Sequence, residues 1–216
     1  TLSFLLFFCV SFSLAPSFTT PPLKIKKVVI DAGHGGKDPG TSGKHSKEKD
    51  VALAMALELG AIIKKNLPEV EVIYTRKTDV FVELEERANI ANTAQADLFI
   101  SIHCNAAENT KAFGTETYVM GMHKSDDNLS VAMRENASIL MEDDHKKYNF
   151  DPYSIISYIK VANHQSAHQT ESLRFATKVE KQFGERVKRT SRGVRQSGFL
   201  VLWQTSMPSV LIEIGF

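Results

Sequence analysis

Cysteine is almost missing: the 216 residues hold two, Cys9 and Cys104. Cys9 lies in a leader-like apolar run, so Cys104 would stand alone in the mature protein, with no intramolecular disulfide to form. Packing, helped by a bound metal, is expected to hold the fold. An excess of either charge is missing too. Lys and Arg number 26 against 25 Asp and Glu, a formal net charge of +1, which gives no field to hold the chain on nucleic acid or an anionic membrane. No basic cluster interleaves with aromatics, which argues against RNA or DNA as a partner. Internal repeats and low-complexity tracts are absent. So is any apolar run long enough for a comfortable membrane span. The run at residues 2–14, "LSFLLFFCVSFSL", has the length of a signal-peptide core. Residues 1–17 are therefore expected to be a signal peptide, incomplete at its start because no basic segment precedes the run, with cleavage after Ser17. Residues 18–23 read as a linker. An exported protein of the periplasm or cell envelope is expected. "LFFC" sets Phe8 where a lipid-anchored cysteine would need a small residue, so Cys9 is not read as an anchor.

What is present suits one domain, residues 24–216, with 43% hydrophobic residues to build a core. Strands are predicted at 25–32, 70–75, 97–104, 115–120 and 209–214, with a short sixth at 199–202, "FLVL". Helices are predicted in "EKDVALAMALELGAIIKKNL", with Ala52, Met55, Leu59 and Ile62 facing inward, in "VELEERANIANTA", and in "TESLRFATKVEKQFGERV". The alternation implies a single α/β domain with a mostly parallel, twisted sheet of about six strands flanked by helices. Residues 123–169 break the rhythm. They are long and polar, include the acidic stretch "MEDDHKK", and read as an insertion with a helix of its own in "SVAMRENASILME". Chain end 216 follows a strand directly, which predicts truncation there as well.

Ligands of such sheets bind beyond the carboxyl ends of the strands. His34 follows the first strand in "IDAGHGGKDPG", His103 ends the third in "SIHCNA", and Glu213 lies near the end of the last in "LIEIGF". Glu48 opens the first helix, four residues before Ala52 and on its buried face. Two imidazoles and a carboxylate suit Zn²⁺ and leave a position for water, whose pKa falls to about 7 on the metal. Glu213 could then move the proton. Each residue has an ordinary alternative, as a hydrogen-bonded strand-end histidine or a solvated helix-start charge. A carboxylate inside "SVLIEIGF" is harder to explain away, because a lone buried charge is costly. The glycines around His34 let the backbone turn and approach closely, and Asp31 is a candidate either to orient this loop or to accept from His34. "GHGGKDPG" fits neither a Walker loop nor GxGxxG. Cys104 is expected to face the core. His164 and His168 read as surface residues, and Arg76 with Asp79 and Arg87 with Asn89 and Asn92 as ion-pair and capping groups.

At "IDAGHGGKDPG", "KEKDVAL", "YTRKTD", "ERANIANTAQADLFISIHCNA", "FGTETYVMG" and "SVLIEIGF" the chain resembles the zinc-dependent N-acetylmuramoyl-L-alanine amidases of bacterial cell-wall turnover, the family-3 amidases. The resemblance implies His34, Glu48 and His103 as zinc ligands and Glu213 as the catalytic glutamate. It implies hydrolysis of the amide between N-acetylmuramic acid and the L-alanine of the stem peptide, for cell-wall turnover or daughter-cell separation. In some relatives a helical insertion after the fourth strand blocks the zinc until an activator protein displaces it. By that resemblance either Glu135, Glu142, Asp143 or Asp144 is expected on or near the metal, or the insertion is a surface excursion that only shapes the substrate cleft. The chain departs from the family at Cys104, where a small residue is typical, and in lacking a helix after the last strand. Peptidoglycan is the expected substrate and a monomer the expected state. Two rivals remain: another zinc peptidase or deacetylase, and an inactive peptidoglycan-binding module of the same fold.

Overall fold

The computed structural model describes residues 24–216 apart from 108, 110 and 163–166. The expected signal peptide and linker, Cys9 and His164 lie outside the described residues. Strand β1 (Lys27–Ala32) is buried from Val28 onward because both its faces are covered. Helix α1 (Glu48–Asn66) follows, then β2 (Glu71–Tyr74), α2 (Leu84–Thr93), β3 (Leu98–His103) and β4 (Thr115–Met120). Helices α3 (Asp126–Asn136), α4 (Ile155–Ala162) and α5 (Gln169–Glu185) precede β5 (Ser191–Ser197), the short α6 (Leu200–Trp203) and β6 (Ser209–Glu213). The sheet order is β2-β1-β3-β6-β4-β5. β2, β1, β3 and β6 run parallel, whereas β4 and β5 run parallel to each other and antiparallel to β6. The carboxyl ends of β1, β3 and β6 thus share a rim with the starts of β4 and β5.

Alternation sorts the side chains into two layers. Val28, Ile30, Ile100, Val210 and Ile212 pack under α1 and α5, while Val29, Phe99, Tyr118 and Leu211 pack against α2, α3 and α6. By the same parity, Asp31, Ser101, His103 and Glu213 belong to the second face.

The sixth strand is not at 199–202. That stretch begins the short helix α6, and the strand is "SRGVRQS", a polar edge strand whose pattern a bulge interrupts. A short apolar run has no period of its own to choose between helix and strand. The buried stripe of α1 also differs from the expected one. It runs through Glu48, Ala52, Ala56 and Gly60, while Met55 and Ile62 are exposed. α1 is apolar nearly all round, so small residues decide the close-packed face: a Cβ on Gly60 would lie 1.8 Å from the Tyr74 hydroxyl. The buried face of α2 is Leu84, Arg87, Ala88 and Ala91. Within the insertion, α3 starts earlier than expected, at Asp126, where the Ser125 side chain accepts from the Asn128 amide.

Candidate metal centre

The loop after β1 is held from both sides by arginines. Arg87 donates to the carbonyls of Ala32 and His34 and pairs with Asp31 at 2.8 Å. Arg76 donates to the carbonyls of Ala32 and Gly33. Both arginines clamp the loop, and the ion pair of Arg87 is with Asp31; Asp79, expected to pair with Arg76, accepts from Lys49 and the Gly36 amide. So held, His34 takes a left-handed backbone (φ 57°) that few non-glycine residues adopt. At Gly33 the loop crosses the His103 ring so closely that a Cβ would come within 2.5 Å of it.

Of the two roles expected of Asp31, orienting the loop agrees with its pairing to Arg87, and accepting from His34 is corrected. Asp31 points into the domain, where Arg87, Thr75 and Ser101 all donate to it. Burial alone would raise its pKa, but these partners hold it below the usual carboxylate range. His34 Nδ1 instead meets Asp38 Oδ2 at 2.8 Å, leaving Nε2 to face inward. Asp38 is held down to about 2 because the His34, Ser138 and Gly40 contacts outweigh its burial.

His34 Nε2, His103 Nδ1, Glu48 Oε1 and Glu135 Oε2 converge. His34 Nε2 lies 3.1 Å from Glu48 and 3.0 Å from Glu135; His103 Nδ1 lies 3.1 Å and 2.9 Å from the same two oxygens. All four residues are buried, and the four ligand atoms fall within 4.8 Å of one another. His34 Nε2 and Glu135 Oε2 nonetheless have no hydrogen-bond partner among the described residues. Ligands about 2.0–2.1 Å from a zinc ion sit about 3.3–3.4 Å apart on a tetrahedron, close to the observed spacings. Two nitrogens and two carboxylate oxygens aimed at one point fit a divalent cation of the zinc type. Glu48 is steadied by the amides of Thr41 and Cys104, at 2.8 and 2.9 Å, and lies in the first turn of α1, where the helix dipole favours an anion.

The electrostatics of this cage without a cation are consistent. Burial disfavours charge on the imidazoles, but the surrounding carboxylates prevail, lifting His103 to about 9 and His34 well above its ordinary value. Glu48 is buried too, and Glu135 opposes its ionisation, yet the histidines bring it down to about 2.

Glu213 is the register partner of His103 on the adjacent strand. It is fully buried and neither carboxylate oxygen has a hydrogen-bond partner among the described residues. Arg134 Nη2 approaches to 3.7 Å. Burial, and then the Glu135 charge, push its pKa well above the usual range.

Of the four acidic residues named for the insertion, only Glu135 reaches the cluster. Glu142 is turned away to accept from the Leu84 amide and the Tyr148 hydroxyl. Asp143 is exposed, 3.6 Å from Lys37. Asp144 precedes a 3₁₀ turn at His145–Tyr148. The insertion is also fastened through Ser138, which donates to Asp38, and Asn136, which bonds the backbone at Gly198 and Leu200. The free space among these groups is about 10 Å³, room for about one water molecule. Cys104 is half-buried beside Glu48, and burial pushes its thiol up to about 12. Asp38, Arg76 and Arg87 were not picked out for these roles. The signal available for Asp38 was its i, i+4 spacing from His34.

Comparison with known proteins gives a consistent result. The model of a family described as N-acetylmuramoyl-L-alanine amidase matches residues 28–216. The amidase AmiC of Escherichia coli is 32% identical over 192 residues, 88% of this chain and 45% of that protein. AmiA of Escherichia coli is 32% identical over 190 residues, 88% of this chain and 65% of that protein. The chain thus spans about half to two thirds of the length of these relatives. Among solved structures, an N-acetylmuramoyl-L-alanine amidase of Clostridium difficile superposes with a TM-score of 0.62 at 29% identity, covering 89% of this chain and 80% of that one. The catalytic domain of CwlV from Bacillus (Paenibacillus) polymyxa gives 0.55 at 32% identity, with 88% and 80% covered.

Proposed function

Because the chain belongs to the N-acetylmuramoyl-L-alanine amidase family, we propose that it hydrolyses the amide joining N-acetylmuramic acid to the L-alanine of the peptidoglycan stem peptide. The observation that carries this reading is the convergence of His34, Glu48, His103 and Glu135 beside the unpartnered Glu213. His34, Glu48 and His103 would hold a zinc ion, with Asp38 fixing the His34 ring so that Nε2 is the ligand atom. Such an ion polarises a carbonyl and lowers the pKa of water to about 7. Glu213 takes the proton of the attacking water and returns it to the departing alanine nitrogen. Its burial, which raises its pKa above the usual carboxylate range, and its lack of hydrogen-bond partners among the described residues suit a group that must accept and then release a proton.

Glu135 Oε2 takes a fourth position on the cage, against His34 Nε2 and His103 Nδ1, where water and substrate would otherwise sit. We read the insertion as a plug that must move before turnover, with a protein activator as the agent. Action on the cell wall for turnover or daughter-cell separation, outside the cytoplasm, follows from the substrate. Among the described residues no helix is long and apolar enough to cross a membrane.

The test uses purified peptidoglycan and zinc, with new L-alanine amino termini as readout. Glu135→Ala is expected to release more amines than the parent, and a chelator to abolish them. A folded, zinc-loaded Glu135→Ala protein that releases none sinks the reading and favours the inactive binding module. New termini other than alanine favour the peptidase rival.

A further inference from the structure

Strand β5 carries Arg192 and Arg195, three residues apart. In a regular strand that spacing sends two side chains to opposite faces. Here it does not, because β5 has one residue more than β4 between their matched pairs: Thr115 faces Ser191, and Thr117 faces Val194. The extra residue falls at Gly193, whose φ of 91° is a glycine conformation. Both arginines therefore reach the same carboxylate. Arg192 Nε bonds Glu116 Oε1, and Arg195 Nε lies 3.6 Å from Glu116 Oε2, which also accepts from the Tyr118 hydroxyl. Glu116 is buried, and one carboxylate cannot neutralise two guanidiniums. Arg195 Nε is buried without a hydrogen bond, while its Nη1 donates to Asn128 Oδ1 at 3.3 Å and the Arg192 guanidinium lies over the Phe216 ring.

These arginines line a groove of about 840 Å³ that Arg134 also lines, and Arg134 Nη2 lies 3.7 Å from Glu213 Oε1. Glu116 and Glu213 are register partners across β4 and β6. β5 lies two strands from β6, about 10 Å at the usual strand spacing. An extended peptide covers that distance in about three residues.

We propose that this groove is an anion subsite, in which Arg192 and Arg195 recognise a free carboxylate of an acidic peptide two or three residues from the amide at Glu213. It deepens, and rests on, the amidase reading by naming the feature of the stem peptide that is selected. A forked guanidinium is the group for a carboxylate and discriminates it from the corresponding amide.

The test reads binding, not turnover. Two short peptides beginning with L-alanine, identical except that one bears carboxylates where the other bears carboxamides, are titrated calorimetrically into the zinc-loaded Glu135→Ala chain, from which the plugging carboxylate is gone. The acidic peptide is expected to bind at least about tenfold more tightly, and the preference to collapse when the double variant Arg192→Gln/Arg195→Gln is added. Equal affinity for the two peptides in the Glu135→Ala chain overturns the proposal, as does a preference that survives in the double variant. Should the double variant fail to fold, an arginine-selective dicarbonyl reagent takes its place. The acidic peptide then shields Arg192 and Arg195 of the Glu135→Ala chain from modification and the amide does not; equal modification with both overturns the proposal. A zinc-loaded Glu135→Ala chain that prefers the acidic peptide yet frees no alanine amines from peptidoglycan refutes the amidase reading and leaves the subsite standing.

Discussion

Asp31 and Glu213 are both fully buried carboxylates on the same face of the sheet, two strands apart, and they are in opposite electrostatic states. Asp31 receives three side-chain donors, one of them a guanidinium, and its pKa is lowered. Glu213 receives none, and its pKa is raised. Burial is the same for both; the partners differ. The region around Asp31 is a scaffold that fixes the His34 loop through Arg87. The region around Glu213 retains unsatisfied polarity, which a stable core normally eliminates and a proton-transfer site requires.

The sharpest way to break the comparison is Glu213→Gln. If Glu213 moves the proton, amine release falls by about 10²–10⁴-fold while the melting temperature does not drop; a variant that stays active would remove the distinction between the two regions. Arg87→Met attacks the other side. Leaving Asp31 buried without its cation is expected to cost about 3–5 kcal/mol in denaturant unfolding, and little loss would show that the Asp31 region is no scaffold. The two carboxylates should also respond to pH in opposite directions. Asp31, with its lowered pKa, contributes stability that is present above about 3.8 and lost as pH falls through its folded value. Glu213, with its raised pKa, contributes stability that is present below about 4.5 and lost as pH rises through its folded value. Metal-free Glu213→Gln should therefore gain on the parent as pH climbs from 4.5, measured by denaturant midpoints; a constant gap would contradict the assignment. The smallest effect is expected at Ser138→Ala, which removes one donor from Asp38 but leaves its contact with His34. A loss of about 0.5–1.5 kcal/mol with unchanged zinc affinity would separate the fastening of the insertion from the cage itself.

Legibility in the sequence followed burial. β1, β3 and β6 are strands covered on both faces, so their apolar runs announce them, and the rim residues His34, His103 and Glu213 follow from where those runs end. β5 escaped because it is a polar edge strand with a bulge, and "FLVL" was read as a strand because four apolar residues fit either geometry. The inward face of α1 was misjudged for the opposite reason: with apolar residues all round, its packing is decided by the small residues. Asp31 rather than Asp38 was matched to His34 because the positive φ at His34, which turns Nδ1 toward Asp38, is a property of the clamped loop.

By itself the sequence determined the α/β class, the shared rim and the candidate set of His34, Glu48, His103 and Glu213, because strand burial and chain order are local signals. Only the tertiary structure decided which acid of the insertion enters the cage, which aspartate orients His34, and that two arginines three apart share one face. Each of these depends on helix phase, a left-handed residue or a bulge. Such features shift side chains by a fraction of a turn or one strand face, and they are set by packing against distant parts of the chain.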